Sequence, residues 1–293
     1  MRNSEDNLLD HHALDWENVA VATYRIQQRF RYEYPGPIFD LSHRIVALPR
    51  AVHGDQRRLS TSLRVLPDAR PRNADDRFGN EVVTFRADRI DAAFEIELEA
   101  TVQRTRTANE HPVSLATLLY PGYRQSSRLT QPDRAIAEAA ANLRERHRCD
   151  RELAEAIVAF VHRELTYKKG VTGVHTSAAM AFETKRGVCQ DFAHVALAIA
   201  RACGLAARYV SGHLLGEGAT HAWIEFLFPA GPVSAIAASY DPTYGIPTSF
   251  RYVVVAVGRD YLDVAPTSGV YRAPHIGTLI AHTSVHVRDV AYR

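Results

Sequence analysis

Three cysteines occur in this 293-residue chain, and one of them stands where a thiol can be made reactive. Cys189 lies in Arg186-Gly-Val-Cys-Gln-Asp191, where Gly187 permits a sharp turn and a helix begins at or just after the cysteine. A thiol at a helix N-terminus meets the positive end of the helix dipole and backbone N–H groups without partners. Both favour thiolate, and with a cation nearby a cysteine pKa falls to ~3.5–7.5. The same N–H groups can stabilise an oxyanion on a carbonyl under attack. A base is still required. His221, in Thr220-His-Ala-Trp-Ile-Glu225, is the candidate, and its partner follows from strand pairing. If 221–228 and 234–240 form a hairpin with its loop near Pro229-Ala-Gly-Pro232, reflection about Gly231 sets His221 opposite Asp241, and a bulge would shift that register by one. An aspartate there accepts from one imidazole nitrogen, fixes the tautomer and leaves the other nitrogen for the thiol. Cys189, His221 and Asp241 are then nucleophile, base and orienter.

Neighbouring residues compete for these roles and fit them less well. His194 lies five residues beyond Cys189, roughly 140° around a helix of ~3.6 residues per turn, and suits a structural hydrogen bond. His213 with Cys189 and His221 would make a zinc set, but no paired CxxC or HxxxH spacing accompanies them. Asp191 reads as a cap of the helix after Cys189 or as a solvated carboxylate. Trp223 shares a strand face with His221 and is the candidate substrate contact, with plain packing the competing reading. Gly216-Glu-Gly218 reads as a hairpin turn, Cys203 as core and Cys149 as a thiol without a role.

These residues need elements to hold them. From Val19 to Val102 the chain shows short β-type runs; in Ala93–Val102, Phe94, Ile96, Leu98, Ala100 and Val102 alternate with Glu95, Glu97, Glu99 and Thr101. Residues 1–18 are polar and expected to be disordered, with His11 and His12 among them. The span 19–102 reads as an antiparallel β domain, and 103–129, with Pro112, Pro121 and Gly122, as a connector. A core domain follows over 130–272. Thr130 is the expected N-cap of its first helix, with Asp133 at N3; a second helix follows Asp150, and a third runs from Cys189 to Gly204. Strands are expected near 206–215, 221–228, 234–240 and 251–257. The tail, 273–293, alternates again and can add a strand to either domain. Helices followed by an antiparallel sheet, after a β domain, make the fold class α+β.

Composition narrows the function. With 46% hydrophobic and 23% charged residues the chain is globular, and a net charge of +2 without a run of five Lys/Arg argues against nucleic acid as a partner. No 18 consecutive apolar residues occur and no signal-peptide core precedes Glu17, so no membrane partner and a cytoplasmic location are expected. The motifs of serine hydrolases, zincins and NTPases are absent, as is a calcium loop, so neither a cofactor nor a metal requirement is expected. An odd cysteine count leaves a free thiol, which favours a reducing compartment.

The blocks Arg186-Gly-Val-Cys-Gln-Asp-Phe-Ala-His194, His221-Ala-Trp-Ile-Glu225, Asp241-Pro-Thr243 and Val255-Ala-Val-Gly-Arg-Asp-Tyr-Leu-Asp263 resemble the bacterial transglutaminase-like superfamily. Tyr24–Tyr34 and Asp76-Arg-Phe-Gly-Asn80 look like that family's N-terminal β domain, so the resemblance covers about residues 20–272. It implies a papain-like core in which Cys189 is nucleophile, His221 general base and acid, and Asp241 the third member. Family members often carry Gly-Trp shortly before Asp-Pro-Thr, where this chain has Ala237-Ala-Ser-Tyr240. The expected activity is acyl transfer from a peptide or glutamine-type amide through a thioester, on a peptide or protein substrate. Hydrolysis is favoured because water is the default nucleophile unless a site excludes it. The alternatives are a protein-cross-linking transglutaminase and a protein- or glycan-binding module with an inactive core.

Overall fold

A computed structural model describes residues 8–67, 69–106 and 109–293. The N-terminal unit is built from β1 (Val19–Glu33), β2 (Ile38–Ile45), β3 (Gln56–Leu66), β4 (Glu81–Ile90) and β5 (Ala93–Thr105). In β1 and β5 the apolar residues alternate, and the register pairs Tyr24 with Val102, Ile26 with Ala100 and Phe30 with Ile96. Apart from the buried Gln28, that face of the ribbon is apolar. It packs with Ile38, Leu41, Ile45 and Phe85 of the second sheet in one buried cluster.

A link then carries β6 (Glu110–Ser114), followed by α1 (Arg134–Arg146), α2 (Asp150–Glu164), α3 (Ala178–Thr184) and α4 (Cys189–Ala202). Next come β7 (Ala206–Leu214), β8 (Thr220–Pro229), β9 (Ser234–Asp241) and β10 (Tyr252–Gly258), paired antiparallel in the order β9-β8-β7-β10. Ile224, Phe226 and Phe228 of β8 pack with Phe192, Val195 and Ile199 of α4, the central helix. The opposite face of β8 carries His221, Trp223 and Glu225. The architecture is thus the α+β arrangement that the periodicities predict.

The elements differ from the sequence expectation in several particulars. Asp133, not Thr130, caps α1 by accepting from Ile136 N–H at 2.8 Å. Thr130 is buried and takes a hydrogen bond from Arg201 at 2.7 Å. Within 103–129, β6 pairs with the outer edge of β9, where Pro112 is tolerated because an edge strand can spare one N–H. Of the residues expected to be disordered, 1–7 lie outside the described residues. Residues 8–18 are tied down: Leu9 N–H donates to Val287 at 2.9 Å, and Trp16 Nε1 donates to the carbonyl of His11 at 2.9 Å.

Two late strands return to the N-terminal unit. β11 (Thr267–Arg272) pairs with β2, and β12 (Thr278–Tyr292) runs the length of β1. The two units also meet at β10. Gln56 and Asn80 present their side-chain amides to its free edge, each amide making a donor–acceptor pair with Val254 or Val257 at 2.8–2.9 Å. The edge is thereby closed without another strand.

Candidate active site

Cys189 is the first residue of α4, and its surroundings explain the tight approach. Lys185 ends α3 in the left-handed region (φ 56°), and Arg186–Gly187 pairs in parallel with Thr166–Tyr167. A Cβ on Gly187 would fall 2.5 Å from Oδ2 of Asp191, so only glycine fits. Asp191 uses that oxygen to accept from the N–H of Val188 and the hydroxyl of Thr172, both at 2.7 Å. The helix start is thereby pinned, with Asp191 in the capping role.

His221 stands at the beginning of β8. Its Nε2 lies 2.6 Å from Oδ2 of Asp241, and both side chains are out of contact with solvent. The hairpin register is not the reflected one: Glu225 pairs with Ser239 and Phe226 with Ala238, which centres the turn on Pro232. His221 is therefore diagonal to Asp241. A two-residue slip keeps both side chains on the same face, so the contact survives the change of register. Asp241 is held in turn by Tyr252, whose hydroxyl donates to Oδ2 at 2.9 Å, and by the N–H of Thr243, which donates to Oδ1 at 2.8 Å.

The second ring nitrogen faces another carboxylate. Nδ1 of His221 lies 2.9 Å from Oε2 of Glu217. Tyr244 donates to the other oxygen of Glu217 at 2.6 Å. Burial works against a charged imidazole, but the hydrogen bonds to Asp241, Cys189 and Glu217 overcome it and push His221 up to about 12. The resting histidine is an imidazolium. Burial likewise pushes the Tyr252 and Tyr244 hydroxyls up, and Asp241 and Glu217 respectively reinforce this.

Glu217, Tyr244 and Tyr252 were not expected at the site. Glu217 had a local signal, a carboxylate four residues before the histidine in a turn flanked by Gly216 and Gly218, both with positive φ. Tyr252 had none, because β10 reaches Asp241 only through the assembled sheet. Trp223 does not reach substrate space: it is 1% exposed and packs among Val210, Tyr252, Val254 and Val257. Its place depends on Gly212, where a Cβ would meet the indole at 2.5 Å and Val253 O at 2.1 Å.

The remaining candidates fall elsewhere. His194 is buried, accepts from the N–H of Tyr261 at 3.2 Å, and is lowered to about 4 by burial. Burial also lowers His213 to about 4, and its Nδ1 faces Ala219 O at 3.5 Å. Cys203 donates to Ala140 O, and burial pushes its thiol up to about 11; Cys149 is exposed at the start of α2.

Comparison with known proteins gives the family of the fold. Residues 137–234 match the transglutaminase-like superfamily core, and residues 24–103 match the bacterial transglutaminase-like N-terminal region. An uncharacterized protein of Mycobacterium leprae is 37% identical over 157 residues, 50% of this chain and 54% of its own. One of Mycobacterium tuberculosis is 38% identical over 130 residues, 41% of each chain. The chain thus spans about half the length or less of these curated relatives. A solved chain from Cytophaga hutchinsonii named "Putative Cysteine Protease" superposes with a TM-score of 0.76 over 93% of both chains at 22% identity, a likeness of fold. The core that bears Cys189 and His221, together with the β unit before it, makes this chain a member of the transglutaminase-like superfamily, a family of thiol enzymes, with a bacterial transglutaminase-like N-terminal region.

Proposed function

We propose that the protein is a thiol-dependent amide hydrolase, with Cys189 as nucleophile, His221 as its proton partner and Asp241 as the residue that orients His221. The observation that carries this reading is the buried His221–Asp241 pair at 2.6 Å, set beside Cys189, which is among the groups that raise the His221 proton affinity. Because its partners hold the His221 proton, the histidine enters the first step as an acid.

The Cys189 sulfur adds to the amide carbonyl carbon, and the carbonyl π electrons move to oxygen. The N–H groups of Cys189 and Gln190, ahead of Asp191 and Phe192, whose own N–H groups donate to Val188 O, face the resulting oxyanion. On collapse the C–N bond breaks, the Nδ1 proton of His221 passes to the departing amine, and a thioester remains. The ring, now neutral, takes a proton from water as the water oxygen attacks the thioester. Loss of the thiolate releases the acid and restores the ion pair. Asp241 keeps the ring in one orientation throughout and stabilises its charge. The thiol chemistry suits a reducing compartment, and a cytoplasmic setting is part of the proposal.

The test offers a glutamine-containing peptide with a labelled primary amine and follows backbone cleavage, ammonia release and amine incorporation together. Cleavage or ammonia release that vanishes in Cys189→Ala supports hydrolysis. Amine incorporation in excess of both would replace this reading by cross-linking transfer, and turnover retained in Cys189→Ala would refute the thiol mechanism.

A further inference from the structure

Four residues along β8 from His221, and on the same face, Glu225 is completely buried. Arg208 of β7 donates to its Oε2 at 2.6 Å, and Ser239 of β9 donates to its Oε1 at 2.9 Å. Two imidazoles turn toward Oε1 as well. Nε2 of His53 is 2.8 Å away, and Nε2 of His111 is 3.9 Å away, beyond hydrogen-bond reach. Among the described residues this is the group of three His, Cys, Asp or Glu side chains whose ligating atoms all lie within 4.8 Å of one another.

The Arg208–Glu225 pair accounts for one carboxylate oxygen but not for two imidazoles gathered at the other. Their positions are built. Gly54, at φ 57°, leaves space for His111, since a Cβ there would stand 2.9 Å from that side chain's Cβ and Cγ. The His53 and His111 rings lie side by side, centroids 4.5 Å apart and tilted by 59°. Beside them is a cavity of about 50 Å³, lined also by Asp55, Glu110 and Trp223. A single water needs only ~10–15 Å³. A neutral imidazole offers a lone pair at Nε2, and Oε1 of Glu225 can accept a third contact beside Ser239.

We propose that Nε2 of His53, Nε2 of His111 and Oε1 of Glu225 bind one divalent transition-metal ion of the zinc type, with a cavity water completing the shell. Two imidazoles, one carboxylate and a water form a normal tetrahedral zinc set. The ion takes the place of the direct hydrogen bond between His53 and Glu225, with the His53 proton on Nδ1. Arg208 and Ser239 stay on the carboxylate as its outer partners. The ligands come from the turn before β3, from β6 and from β8, so the ion clasps the N-terminal unit, the link and the core sheet. No short motif announces it, because the three positions are far apart in the chain.

The test uses untagged Cys189→Ala protein, so that the reactive thiol cannot take metal, titrated with zinc chloride by calorimetry and with cobalt chloride by absorption. The expected result is one equivalent per chain, a rise in melting temperature on zinc addition, and visible cobalt bands of a four-coordinate N/O site. His111→Ala, a partly exposed position, should weaken zinc at least about 10-fold and abolish the bands, and His53→Gln should do the same. The proposal is overturned if the Cys189→Ala chain takes up no stoichiometric metal, if its cobalt spectrum is six-coordinate, or if both histidine variants bind as it does.

Discussion

Oε2 of Glu217 stands 2.9 Å from Nδ1 of His221, while Nε2 of the same ring faces Asp241. The ring is thus held between two carboxylates. Asp241 is foremost among the partners that together push His221 up to about 12, with Cys189 and Glu217 behind it. Glu217, as an acceptor on Nδ1, is expected to compete with the sulfur for the ring's proton.

Replacing Glu217 by Gln should therefore speed the reaction of Cys189. The pair is partly solvent-screened, so about 1 kcal/mol is at stake, or roughly a fivefold faster alkylation by iodoacetamide near neutral pH. An unchanged or slower rate would show that Glu217 supports the ion pair instead of competing with it.

Asp241→Asn should cost far more than Tyr252→Phe. The asparagine offers an amide where the ring needs a carboxylate, and a loss of roughly 10⁴ in turnover accompanies such a change in a serine-type triad. Tyr252→Phe removes one hydrogen bond to Asp241, about 1 kcal/mol, or about fivefold. Comparable kcat values for the two variants would mean that Asp241 does not orient His221.

Stability should also report the raised histidine. His221 holds its proton more tightly folded, at about 12, than in the unfolded chain, where the ordinary value is 6.5, so protonation favours the fold. That contribution is complete below pH 6.5 and is lost progressively as pH climbs toward 12. The melting-temperature advantage of the parent over His221→Asn should shrink steadily between about pH 7 and pH 10. An advantage independent of pH would place a neutral imidazole in the fold.

The three thiols should be separable by mass spectrometry after limiting alkylation. Cys189 is expected first, exposed Cys149 second and Cys203 last, because burial pushes the Cys203 thiol up to about 11. Labelling of Cys203 ahead of Cys189 would contradict the proposed activation.

Gly212→Ala tests the wall behind His221. Its new methyl would enter the space of Val253 O and the Trp223 ring, at 2.1 and 2.5 Å, so unfolding free energy should fall by about 2–3 kcal/mol or more. Urea melts measure the loss, and Trp223 fluorescence should shift as the indole is displaced. A neutral effect would mean that β7 can move aside at no cost.

Strong periodicities were readable from sequence; pairings across long distances were not. Phe94, Ile96, Leu98, Ala100 and Val102 announce β5 because their alternation is unbroken over a half-buried strand. The hairpin that joins His221 to Asp241 was centred one residue early, on Gly231, but an even slip leaves side chains on their face, so the two residues meet all the same. Trp223 shares that face with His221, yet a shared face does not tell surface from interior. β6 was read as connector because five residues that include Pro112 show no period, and only β9 reveals what they pair with. Glu217 was passed over as a turn residue, since its contact with His221 depends on how tightly β7 turns into β8.

β12 lies against β1 along 15 residues of strand, although the entire core separates them in the chain. During synthesis the first sheet must wait with one side open until the helices and the sheet bearing His221 have emerged. The order of assembly is thus written into the topology: the unit made first is finished last.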